Sequence, residues 1–173
     1  MKKIVFVLLL ATTATFFSSC HKNGVKLFAG DYSFKTSGEV SIITEAVIDS
    51  NDIVIPAVLN VDLTNDIGQL NISVSDKEND EVIVVINYLN SDVTVTTGTC
   101  DGNTIELDEF ERDVLPVSVT SLFTNYSIKA SATGQIYNDN MIVFDMNYYG
   151  KATTGSVTYT IMDKDAKLVA YRN

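Results

Sequence analysis

Tryptophan is absent from this 173-residue chain, histidine occurs once, and cysteine and proline occur twice each. Each scarcity removes a class of chemistry. The single histidine, His21, stands near the N-terminus, so a Ser-His or Cys-His pair inside a folded site is hard to build. One histidine with Cys20 and Cys100 far apart does not make a zinc set. The longest apolar run near the start, Ile4 to Leu10, falls well short of the ~20 residues that cross a bilayer as a helix. Positive charge is also scarce: 12 Lys and Arg face 22 Asp and Glu, for a net charge of -10. Such a surface repels nucleic acid and anionic lipid.

What the N-terminus does hold is an export signal. Lys2 and Lys3 precede the apolar run, a more polar approach from Ala11 to Thr15 follows, and Phe17-Ser18-Ser19-Cys20 closes it. This ending resembles the lipobox of Gram-negative lipoproteins, with Phe17 where an aliphatic residue is usual. The resemblance implies removal of residues 1–19, acylation of Cys20 (diacylglyceryl and palmitate), and an anchor to which each buried methylene contributes ~0.8 kcal/mol. Loss of Lys2 and Lys3 makes the mature chain more acidic still. Cys100 is then left without an internal partner, and with no His or Lys beside it to lower its pKa it is read as an inert, packed thiol.

Residues 20–29 read as a lipidated tether, and residues 30–173 as a single all-β domain. Tyr32, Phe34, Val40 and Ile42 alternate with polar residues, as a strand with one buried face requires, and Thr36-Ser37-Gly38 interrupts them as a bulge or tight bend. Further strands are predicted at 53–63, 70–74, 82–88, 93–97, 104–107, 117–123, 126–136, 141–149, 157–162 and 168–171. They are separated by turn residues such as Asn65-Asp66-Ile67-Gly68 and Asp101-Gly102-Asn103. The acidic run around Glu109 and Glu111 reads as the start of an irregular connection up to Pro116. No helical period stands out. Val82–Ile86 and Met141–Phe144 are apolar on both faces, so their outer sides call for cover from the tether, from the 109–116 connection or from a partner.

Gly30-Asp31-Tyr32 opening the first strand, Asn87 to Val93, Gly102-Asn103-Thr104-Ile105, the Gly134–Phe144 hairpin and Tyr149-Gly150-Lys151 together resemble the calycin-like β-barrel lipoproteins. The resemblance covers Leu27 to Asn173 and implies a single antiparallel up-and-down barrel of lipocalin type; a two-sheet sandwich is the alternative. Lipocalins carry Gly-x-Trp at this first strand. Here the resemblance makes Tyr32 the floor of the barrel and Arg172 the arginine that closes it.

A barrel of about eight strands has room for packed side chains or for one small ligand. The expected function is therefore a non-catalytic, lipid-anchored binding module for a small apolar or amphipathic ligand. Tyr32, Phe34, Tyr88, Phe144, Tyr148 and Tyr159 are the candidate wall. The alternative is a structural or protein-interaction subunit of an envelope complex. The place expected is the outer membrane facing the periplasm, with surface display as the other possibility. No enzyme activity, cofactor or nucleic-acid partner is expected. Glu106 and Asp108 share one strand face as an acid-base pair would, but such pairs are common on a surface this acidic. Asp76, Glu78, Asp80 and Glu81 cluster in one turn as calcium ligands do, although without the EF-hand glycine or helices; a solvated hairpin tip accounts for them better.

Overall fold

The computed structural model describes residues 21–44, 57–63, 66–75, 80–89, 93–112, 115 and 117–173. Cys20, Asp76 and Glu78 lie outside them. Among the described residues nine strands form one sheet: β1 (Gly30–Thr44), β2 (Val58–Asp62), β3 (Ile67–Val74), β4 (Glu81–Tyr88), β5 (Val93–Asp101), β6 (Thr104–Glu111), β7 (Asn125–Asn138), β8 (Met141–Thr154) and β9 (Val157–Arg172). Each pairs antiparallel with its neighbours, and β1 also pairs with β9 from Tyr32↔Arg172 to Thr44↔Tyr159. That pairing closes the sheet into an eight-stranded up-and-down barrel with one extra strand, β2, and rules out the two-sheet sandwich.

The extra strand arises from a break. β2 and β3 lie end to end along β1, opposite residues 39–43 and 30–35 respectively. Thr36 holds the gap between them: its backbone N–H donates to Asp66 O (2.8 Å), and its hydroxyl faces Leu63 O (2.6 Å) and Asp66 O (2.9 Å). Of the bulge or tight bend expected at Thr36-Ser37-Gly38, a bulge is present, with the register of β1 against β9 shifting between Ser37 and Glu39. Gly38 takes φ +95°, and a Cβ there would stand 2.5 Å from Asp165 O, so the corner needs glycine.

Strand lengths are unequal, and this shapes the interior. β1, β7, β8 and β9 run 14–16 residues, whereas β3 to β6 run 8 or 9. Near the floor, where β1 begins, all eight strands enclose the core. Above Tyr88 and Glu111 the long strands continue alone with β2 as a curved sheet, and Leu115, Val119 and Phe123 cover their inner face. Inward positions alternate as the sequence implies; Val82, Val84, Ile86 and Tyr88 of β4 are all buried. Large rings rest on glycines: a Cβ on Gly134 would meet the Phe144 ring at 2.5 Å, and one on Gly68 would meet the Phe34 ring at 2.8 Å.

Several local expectations are corrected. The tether is in fact helix α1 (His21–Phe28), which plugs the floor with Val25 and Phe28. The acidic run belongs to β6: Phe110 points inward, Glu109 and Glu111 point to solvent, and a bulge between Leu107 and Phe110 restores the alternation. Residues 117–123 are not a strand but a helical turn, α2 (Val117–Thr120), followed by a turn, because Val119 and Phe123 pack on the upper core. The strands expected at 157–162 and 168–171 are one strand, kinked at Asp165 (φ 55°). Neither helix covers the outer side of β4, where Ile83 is 37% exposed.

Candidate functional site

The alternation that builds the barrel also aims all six candidate aromatics inward, and five of them are buried. Tyr32 lies on the floor. Its hydroxyl donates to Phe28 O (2.7 Å) and accepts from Arg172 Nη2 (2.6 Å), which also reaches Leu27 O (2.6 Å). Tyr32 and Arg172 therefore meet at the barrel floor and tie β1, β9 and α1 together. Burial raises the Tyr32 pKa, with the charge and hydrogen bond of Arg172 opposing. Phe144 fills the lower core. Phe34 and Tyr88 pack edge to face, 5.0 Å between centroids, and Tyr148 is buried near them. Tyr159 lies apart, half-buried in the upper layer against Phe123 at 5.4 Å.

Where the short strands end, the interior is polar. Arg112, one residue beyond β6, turns its guanidinium inward over the Tyr88 ring (3.1 Å to the centroid) and pairs with Asp66. The Arg112 side chain is 3% exposed and that of Asp66 22%, so the carboxylate keeps some water and the cation almost none. Burial works against the guanidinium charge, but Tyr88 and Asp66 outweigh it and the pKa is raised. Beside them the Tyr88 and Tyr148 hydroxyls are buried without a hydrogen bond of normal geometry, although they interact electrostatically with each other and with Arg112. Burial pushes the Tyr88 phenol up to about 12 despite Arg112, and raises Tyr148 well above its ordinary value. Both phenols are therefore neutral donors at physiological pH. A buried hydroxyl left unpaired costs about 1–3 kcal/mol, so two side by side need an explanation.

Sequence reasoning passed over Arg112 and read Asp66 only as a turn residue. One signal was available: the chain has just two arginines, Arg112 and Arg172, and each stacks on a barrel tyrosine.

The remaining candidates among the described residues lie at the rim or on the outer face. A hollow of about 440 Å³ near the floor is lined by Asp80, Thr99, Cys100, Asp101, Thr104 and Glu106. Cys100 is buried at its base, and burial together with Asp80 raises its pKa to about 11, which keeps it a thiol. Asp108 accepts from the Thr97 hydroxyl on the outer face. Glu81 accepts from the Ser75 hydroxyl (2.7 Å), and no group of three or more metal-ligating side chains forms among the described residues.

Fold and interior define an antiparallel up-and-down barrel with a buried arginine-tyrosine cluster. No family model matches the chain, and no curated protein is significantly similar to it. Among solved structures, one described as EF1p2_mFAP2b bound to DFHBI is 10% identical over 90% of this chain and 100% of its own, with TM-score 0.42. A redesigned beta barrel, b11L5F_LGL, is 12% identical over 90% and 97%, with TM-score 0.38. The fold class rests on the strand pairing itself.

Proposed function

We propose that the protein is a calycin-like lipoprotein of the Gram-negative envelope, anchored through Cys20, that binds a small amphipathic ligand in the upper half of its barrel without catalysis. One observation carries the reading: two neutral phenol donors, Tyr88 and Tyr148, are buried beside Arg112 between two apolar layers, and neither hydroxyl has a hydrogen bond of normal geometry. Such a cluster suits a ligand that presents a hydrogen-bond acceptor downward and an apolar body to Ile42, Ile161 and Phe123. Because Asp66 already balances Arg112, a second buried anion would leave net negative charge. A neutral acceptor such as a ketone, ester or amide carbonyl therefore fits better than a carboxylate.

Native mass spectrometry of the lipidated protein, extracted gently from its own cells, tests this. The expected spectrum shows an excess mass that leaves on denaturation and falls in a Tyr88→Phe/Tyr148→Phe variant. The acylated chain with no excess mass, in repeated gentle preparations, argues against the reading.

A second reading, a protein-interaction subunit, is favoured by the outer face of β3 to β5. Ile67, Ile83, Val93 and Val95 on paired strands, and Leu89 in the turn just past β4, are all exposed there. Co-purification of a stoichiometric partner released by Val95→Glu would favour it.

A further inference from the structure

We infer that the barrel stands floor-down on the membrane, with Leu27, Tyr137 and Tyr171 seated in the lipid interface, so that its upper, ligand-facing end points away. The inference rests on the proposed acylation of Cys20 and adds an orientation to it.

The argument starts from chain length. Cys20 is joined directly to His21, the first residue of α1, and consecutive Cα atoms lie ~3.8 Å apart. α1 spans 8 residues, about 12 Å at 1.5 Å per residue. It is fixed in place: Val25 is 2% exposed and Phe28 0%, and Gly24 backs onto Gly102 and Cys100. Its last turn is tied to the barrel by Tyr32 and Arg172. No free leash therefore separates the acylated residue from the floor, and the lipid into which the acyl chains insert lies within about one helix length of it. That position of the chain end selects the occupant of this surface.

The floor carries side chains suited to that neighbour. Leu27 is 45% exposed, Tyr137 75% and Tyr171 44%, the largest exposed apolar groups at this end of β7, β9 and α1. Tyrosines place an apolar ring and a polar tip at a membrane interface, and the adjacent Lys26 can extend its charge to the headgroups. Met141, paired with Tyr171, lines with Lys26, Leu27 and Arg172 a hollow of about 200 Å³ between α1 and the β7–β8 turn. Around the rim, Asp80, Asp101 and Glu106 disfavour anionic lipid, so the surface fits a zwitterionic one.

The test uses the full-length acylated protein in a Cys100→Ser background, carrying a fluorophore on Tyr137→Cys, Tyr171→Cys or, at the opposite end, Leu122→Cys, which is 59% exposed. The variants are reconstituted into phosphatidylcholine vesicles containing brominated lipid, and intact mass reports the acyl group on Cys20. Quenching at 137 and 171 several-fold greater than at 122 is the expected result. Equal quenching at both ends of an acylated protein overturns the orientation and leaves the anchor standing. An intact mass without acyl chains overturns the anchor, and the orientation falls with it.

Discussion

Asp66→Asn should destabilise the protein more than Arg112→Met, and the two together should cost less than Asp66→Asn alone. The asymmetry comes from water. Arg112 is 3% exposed and stays charged, so removing the carboxylate leaves a buried cation short of its counter-charge, at a cost of about 3–5 kcal/mol. Asp66 is 22% exposed; without Arg112 it turns to solvent, and the cost is about 2 kcal/mol after allowance for that hydration. Replacing both charges removes the mismatch, and the coupling between the sites should come to about 2–3 kcal/mol. Asparagine keeps the shape of Asp66, and its backbone bonds to Thr36 and Leu63 are untouched, so charge alone is altered. Urea unfolding followed by far-ultraviolet circular dichroism at pH 7 measures all three variants. Equal costs for the two single changes, or a double variant as unstable as their sum, would refute the reasoning.

Three further outcomes are expected. The Tyr88 phenol, near 12 when folded against 10 when unfolded, contributes stability that is complete below pH 10 and is lost as pH rises towards 12. That contribution is about 3 kcal/mol. Absorbance at 295 nm should show Tyr88 and Tyr148 ionising only with unfolding; their ionisation near pH 10 in protein that is still folded contradicts this. Cys100, raised to about 11 from 9.0, should carry about 100-fold less thiolate than an ordinary thiol at pH 8. It should resist iodoacetamide until urea is added, and rapid native labelling would show the burial to be wrong. Gly134→Ala should cost about 1–3 kcal/mol through its clash with the Phe144 ring, and Gly134→Ala/Phe144→Leu should recover part of the loss; an unchanged midpoint for Gly134→Ala would mean that the ring moves freely.

The barrel was legible because alternation and turn residues are local signals. Val82 to Tyr88 and Tyr126 to Ile136 announce their inner faces, and Thr36-Ser37-Gly38 marks a bulge that the structure contains. Closure was not legible in the same way, since whether β1 meets β9 depends on curvature summed over the whole sheet. The misplaced pieces were those whose burial is decided from a distance. Glu109 and Glu111 read as loop, yet each flanks an inward Phe110 in a paired strand. Val117 to Phe123 has strand composition but becomes a helical turn because the upper core needs covering there. Of the candidate site, the aromatics were visible from alternation, whereas Arg112 was hidden inside an acidic stretch that reads as solvated.

The β1–β9 seam also sets the order of events in folding. Tyr32 and Arg172, which meet there, are 140 residues apart in the chain, so the first strand synthesised must wait for the last before the barrel can close. Until then both edges of the curved sheet expose unpaired backbone, and the loop to be closed is almost the whole domain. Such non-local pairing folds slowly, in the millisecond-to-second range of barrels and sandwiches. A chain that lost β9 would keep most of its hairpins but present two open edges, at β1 and β8, to its neighbours. The last sixteen-residue strand is thus the step at which a nascent chain stops being prone to edge-to-edge aggregation.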